Sequence, residues 1–439
     1  MAMGLAKNLK AKIARWPYAL TAFIAAFAAF GAYSSMYAFR KAFAAGTYSE
    51  QQYLHVDYKV WLVIFQIVGY TLSKFYGIRF IAELKDKNRG VTILLLVGIS
   101  WLALLGFALV PAPYNMIFLL VNGFPLGLIW GLVFGYLEGR RSTEFMAAVL
   151  SISLIFASGF VKTIGQTLLH TYHVNEYMMP FLTGALFVIP ILFFVLVLEL
   201  MPLPTEQDKL MRTARKPMSA LERKQFISRF LPGIILTLVI YVLLTVMRDI
   251  RDNFEVEIWN SLGITDKNIY AKIDSRISII VLVAMSLLFL IKRNLRAFSI
   301  IHLLIIGGCI LIGASTILFS LHMIGPVAWM TMAGLGLYLG YVPYNAIFFE
   351  RMIATFHYKS NVGFVMYLAD SLGYLASISV LIVKEFGKPA ISWGIFFKEG
   401  VILVAVIGSI CGALSLIYFF LSARKTSIRE KTQLKFSTI

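Results

Sequence analysis

Apolar residues run through this chain in long blocks, broken by short polar stretches in which Lys and Arg gather. A helix needs about 20 apolar residues to cross roughly 30 Å of hydrocarbon. Twelve blocks meet that length, near 17–39, 60–82, 91–112, 115–138, 145–169, 178–200, 229–250, 275–291, 297–321, 327–349, 361–383 and 396–421. Backbone in lipid must satisfy its own polar groups, so each block reads as an α-helix. The pattern predicts an all-α, polytopic membrane protein with twelve transmembrane helices in two six-helix halves.

The halves are expected at 1–200 and 229–423, joined by a cytoplasmic linker at 201–228 and followed by a basic cytoplasmic tail at 424–439. In the linker, Pro217, Ser219 and Glu222 predict a short amphipathic helix that starts near Ser219 and lies on the membrane surface. Composition agrees with a membrane protein: 59% of residues are hydrophobic and 14% charged, with a mean hydropathy of +0.80.

The net charge of +18 raises the question of nucleic acid, and its distribution answers it. The cations cluster in alternate loops: Lys7 to Arg15, Lys85 to Arg89, Arg140 with Arg141, Lys292 to Arg296, Arg351 with Lys359, and Arg424 to Lys435. The positive-inside rule makes those loops and both termini cytoplasmic. The partners expected are therefore membrane lipid and a small solute, not nucleic acid, for a monomer in a bacterial inner membrane. The basic N-terminus resembles a signal n-region but reads as an uncleaved first helix.

Candidate chemistry lies in charges that interrupt apolar blocks. The first helix ends in FGAYSSMYAFRKAF, residues 30–43, which carries Tyr37, Arg40 and Lys41. A cation at membrane depth needs water, a carboxylate or an anionic ligand to face. Arg40 is open to two readings, ligand contact or snorkelling to the interface. Lys74 on the second helix lies deeper; Gln66, Gly69 and Tyr70 before it suggest a polar stripe facing an aqueous cavity, against a lysine reaching for headgroups.

Arg248, Asp249, Arg251, Asp252 and Asn253 form an ionic knot on span seven, in which Arg248 and Asp252 are one turn apart and spaced to pair. Lys162 and Gln166 lie one turn apart on span five, and Asp370 is a lone acid on span eleven. Asp370 is the first candidate for carrying a proton, against static pairing with Lys162 or Arg248. Glu138 with Arg140, and Glu350 with Arg351, end spans four and ten, where they read as gating contacts or as ordinary positive-inside charge.

These features resemble the major facilitator superfamily and, within it, the organophosphate:phosphate antiporters of the glycerol-3-phosphate type. The resemblance rests on Tyr37, Arg40, Lys41 and Phe43 in the first helix and on Gly69, Tyr70, Ser73, Lys74 and Phe75 in the second. It implies an anion site lined by Arg40, Lys74 and a seventh-helix arginine, Arg248; the residues themselves add Tyr37, Tyr70, Lys162, Gln166 and Tyr241 as candidate binding residues. The loop after the second helix departs from the family's spacing. The run RDIRDNFEVEIW, Arg248 to Trp259, resembles instead a bacterial branch without an assigned function.

The function expected is secondary transport of a small organic anion, phosphorylated or carboxylate-bearing. Alternatives are a polycarboxylate or siderophore transporter and a transporter-like anion sensor. No enzyme, cofactor or metal is expected: the six histidines scatter toward loops, and Cys309 and Cys411 lie inside apolar spans. Spans four and ten each hold a Gly- and Pro-rich run, Gly123–Gly131 and Gly334–Tyr344, which predicts close helix packing there.

The topology gives the first prediction. A cysteine introduced within 201–229 is labelled by an impermeant maleimide only from the cytoplasmic side, and one at Ala112 only from outside; the reverse pattern inverts the orientation.

Overall fold

The computed structural model describes residues 2–49, 51–83, 89–204, 208, 220–356, 363–387 and 391–437. Lys85, Asp86, Lys87, Pro217, Ser219 and Lys359 lie outside these. The helices are α1 (Ala2–Ile13), α2 (Tyr18–Lys41), α3 (Tyr58–Glu83), α4 (Arg89–Leu109), α5 (Met116–Leu137), α6 (Thr143–His170), α7 (Met179–Leu186) and α8 (Val188–Leu200). They continue with α9 (Ala220–Ser261), α10 (Ile269–Phe289), α11 (Asn294–Ser320), α12 (Pro326–Pro343), α13 (Phe349–Thr355), α14 (Gly363–Gly387) and α15 (Trp393–Ser437).

Among the described residues eight helices are long and apolar enough to cross a membrane, and α7 with α8, bent by 42°, make a ninth span if taken together. The other three expected spans fall on α10, on α12 with its continuation through α13, and on α14. Their polarity has a visible source: α10 carries Lys272, Asp274 and Arg276, and α12 is rich in Gly and Tyr.

One expectation is corrected. The helix expected within the linker is not a separate surface helix, because α9 runs unbroken from Ala220 to Ser261. Its first residues are mostly good helix formers. Pro232 removes one backbone donor without ending the helix, as prolines in membrane helices often do.

The chain forms two compact units, Met1–Arg212 with Ile250–Leu282 and Ser377–Gly394, and Thr213–Asp249 with Val283–Ala376 and Ile395–Ile439. In the first, α2 is the central element. Its buried face is mostly Ala, from Ala22 through Ala32, so neighbouring helices approach closely, and the Phe194 ring lies against Gly31.

Helices α3 and α5 cross more tightly still. A Cβ at Gly69 would strike the backbone of Leu120, one at Gly123 the carbonyl of Gln66, and one at Gly127 the Ser73 hydroxyl. The glycines on α5 are four residues apart and so share one face. The close packing expected of span four is therefore present, and in the second unit Gly308 and Gly336 bring α11 and α12 together backbone to backbone. There α12 passes through a π-helical turn, Tyr344–Phe348, immediately after Pro343.

Between α2 and α3 the chain makes a small hairpin, β1 (Gln52–Tyr53) antiparallel to β2 (Val56–Asp57). Its turn residues Leu54 and His55 both have positive φ, 55° and 61°, as the right-handed twist of a two-residue hairpin asks.

Gly123→Val should cost about 1–3 kcal/mol through overpacking, read as a lower unfolding midpoint in detergent. Gly98→Val, where a Cβ meets nothing within 4 Å, should leave the midpoint unchanged.

Candidate functional site

The last turn of a helix leaves carbonyls without intrahelical donors, and at membrane depth no water replaces them. At the end of α2 that demand falls on a buried 3-10 turn, Ala42–Ala45. Side chains from three helices meet it. Asn122 donates to the Phe39 carbonyl at 2.9 Å, Gln66 to Arg40 at 2.5 Å, Lys59 to Ala44 at 2.9 Å and Gln166 to Ala45 at 2.7 Å. Gln66 also donates to Asn122 at 2.9 Å. Gln66 thus braces backbone where the sequence suggested a cavity-facing stripe, and Gln166 does the same.

This bracing fixes Arg40, which is 7% exposed. Its guanidinium carbon lies 3.8 Å from the centre of the Tyr70 ring and 5.7 Å from that of Tyr37. The ammonium of half-buried Lys74 lies 5.1 Å from the same Tyr70 ring. Two cations therefore share one aromatic ring, an arrangement in which the ring quadrupole offsets part of their lost hydration. Four residues singled out from sequence, Tyr37, Arg40, Tyr70 and Lys74, come together here.

The residue after Arg40, Lys41, belongs to a set of ion pairs. Lys41 meets Asp252 at 3.1 Å and donates to Asn253 at 2.6 Å. Lys162 meets Asp252 at 3.2 Å and Glu255 at 2.9 Å, and donates to Ser158 at 2.7 Å. Ser158 in turn donates to Asp252. Arg251 meets Glu255 at 3.2 Å and Asp274 at 2.7 Å, all three side chains being fully buried. Lys59 pairs with Glu257 at 2.6 Å. Asp252 is thus engaged by Lys41 and Lys162, where the sequence offered Arg248 as its partner.

A cavity of about 750 Å³ opens at this end of the first unit, lined by Ala45, Gln166, His170, Glu176, Val256 and Tyr270 among others. Beside it Glu176 accepts the backbone N–H groups of Thr47 and Tyr48 at 2.8 and 3.0 Å. Burial, with the Glu176 carboxylate close by, holds the Tyr48 phenol well above its ordinary value of 10.0, so it stays a donor. Among the described residues no group of three or more His, Cys, Asp or Glu is placed to hold a metal ion.

The second unit has its own cation and tyrosines. Arg248 lies 4.1 Å from the centre of the Tyr341 ring and pairs with Asp249 at 2.5 Å. Tyr341 stacks on Tyr241 at 5.4 Å, and the Tyr241 hydroxyl donates to Asp370. In the first unit Arg140 donates to the Pro202 carbonyl at 2.5 Å, and in the second Arg351 donates to Asn294 at 2.9 Å. Glu138 caps the C-terminal end of α5, as the sequence reading has it, whereas Glu350 lies in the first turn of α13, which carries the helical run on to Thr355.

Lys59, Glu255, Glu257 and Asp274 escaped the sequence reading. Charge balance was the available signal: Lys162 inside an apolar block and Lys41 and Arg251 at the ends of two others require as many acids, and FEVEIW and YAKIDSR supply them.

Comparison with solved structures places the fold. A D-xylose–proton symporter matches with a TM-score of 0.59 at 14% identity, covering 92% of this chain and 97% of its own. The xylose transporter XylE from E. coli, in its inward-open conformation, gives 0.56 at 12% identity over 91% and 95%. The peptide transporter POT in complex with alafosfalin gives 0.61 at 13% over 95% and 99%. The fold is therefore that of the major facilitator transporters, and the protein is an integral, multi-pass membrane protein. By sequence the chain belongs to DUF5690, a family of unknown function, whose model matches residues 42–422. No curated protein matches it by sequence.

Removing one partner from a buried pair strands the other charge, at about 3–5 kcal/mol. Lys162→Met should lower stability by that amount in denaturant titrations of the detergent-solubilised protein. Lys267→Met, whose ammonium donates to the exposed Thr171 hydroxyl, should change it by no more than about 0.5 kcal/mol.

Proposed function

We propose that the protein is a secondary transporter of a small organic anion, and that Arg40 and Lys74 receive the anion beside Tyr70, with Tyr37 completing the wall. The observation that carries this reading is the pair of cations at one tyrosine ring. Guanidinium and ammonium there can each add a charge-assisted hydrogen bond to an incoming carboxylate or phosphate oxygen. Tyr70 and Tyr37 supply a dry wall that strengthens those bonds.

In the second unit Arg248, at the Tyr341 ring on which Tyr241 stacks, is assigned the same ligand chemistry. Asp370 is assigned to orienting Tyr241. Lys162 and Gln166 act on Asp252, Glu255 and the Ala45 carbonyl, and so support the site rather than line it. The likeness to a sugar–proton symporter and a peptide transporter supports transport as the activity, and the cations supply the reason for choosing an anion. The positive-inside pattern supports placing both termini in the cytoplasm of a bacterial cell, in its inner membrane.

A thermal-shift screen of purified protein against phosphate esters and di- and tricarboxylates identifies the solute; at 100 times its dissociation constant a ligand adds about 2.7 kcal/mol. Uptake of that solute into proteoliposomes then tests the site. Lys74→Ala should lose about 1.5–3 kcal/mol, or roughly 10- to 150-fold in affinity. Arg40→Lys keeps the charge but loses the planar fork of donors, and should impair uptake severely. Normal uptake by both variants overturns the site, and binding without flux makes the protein a sensor.

A further inference from the structure

The three acids nearest Lys162 and Arg251 are not equally compensated. Asp252 is met by Lys41, Lys162 and the Ser158 hydroxyl. Glu255 is met by Lys162, by Arg251 and, at 3.4 Å, by the indole N–H of Trp259. Asp274, fully buried, has Arg251 on Oδ1, and its Oδ2 has no hydrogen-bond partner. That oxygen lies against Gly159 of α6, where an added Cβ would come within 2.8 Å of it. An ionised carboxylate has about four acceptor positions to fill, and one left bare in the interior costs free energy.

We propose that Asp274 is a proton-binding site, taking up a proton on Oδ2 from water in the 750 Å³ cavity. The cavity reaches the ion-pair set by register. Its lining residues Ala45, Gln166 and Val256 each follow Lys41, Lys162 and Asp252 by four residues, and Tyr270 precedes Asp274 by four. Four residues are about one helical turn, a rise of roughly 6 Å, so the cavity ends one turn from the charges on all four segments.

The groups facing Asp274 are Arg251 and Glu255 from α9, Lys162 from α6, and Tyr270 on its own helix. A hydronium ion in the cavity gives up one proton, an O–H bond forms at Oδ2, and a water molecule remains. Asp274 becomes neutral, Arg251 keeps Glu255, and the ion-pair set gains one positive charge. This deepens the transport reading, since a proton bound there is available to drive a solute, yet the binding step requires no solute.

The test is infrared difference spectroscopy of the purified protein in lipid vesicles, between alkaline and acidic buffer and without solute. The carbonyl stretch of a protonated carboxylic acid should appear on acidification in the wild type, vanish in Asp274→Asn, persist in Asp370→Asn and shift in Asp274→Glu. The proposal is overturned by a wild type without the band, by its survival in Asp274→Asn, or by its loss in Asp370→Asn. Should Asp274→Asn not fold, an unshifted band in Asp274→Glu overturns it equally. Because no solute is present, failure of the anion site leaves this result standing, and loss of the band leaves the anion site standing.

Discussion

Charge that leaves water must be met by charge or by oriented dipoles, and the first unit is arranged around that requirement. Lys41, Lys59, Lys162 and Arg251 are matched there by Asp252, Glu255, Glu257 and Asp274. Burying even one such ion costs several kcal/mol after relaxation, so each cation of the set has at least one acid beside it. The set ties α2, α3 and α6 to the last turns of α9 and the start of α10.

The cations at Tyr70 are supported differently. Arg40 and Lys74 are placed by bracing of the α2 end, through Gln66 and Asn122, and by the close crossing of α3 and α5. Polar residues in the apolar blocks therefore fall into two groups. Gln66, Asn122 and Gln166 satisfy backbone, and Arg40 and Lys74 lie at aromatic faces. The distinction is physical: an amide carries its own donor and acceptor and can end a chain of hydrogen bonds, whereas a cation brings a charge that has to be answered.

Hydropathy made the helices legible, and the glycine runs made the tight crossings legible, because both depend on local composition. The Tyr37, Arg40, Tyr70 and Lys74 group was legible because a cation in an apolar block is conspicuous wherever it points. What the sequence withheld was pairing. Arg248 and Asp252 are one turn apart on a single helix, and that spacing suggested partners. Long-range contacts supplied others, with Lys41 and Lys162 arriving from sequence distances no periodicity encodes. The surface helix expected after Ser219 was misjudged because amphipathic composition describes a helix's faces and says nothing about where it stops.

The glycines of the α3–α5 crossing act as a ruler. With backbone seated on backbone at Gly69, Gly123 and Gly127, neither helix can slide by a residue without collision. Tyr70 directly follows the first of these glycines, so the height of its ring along the helix axis is set to within a fraction of the 1.5 Å rise per residue. Side chains around Tyr70 can then be exchanged against a fixed aromatic benchmark, without recalibrating the scaffold that holds it.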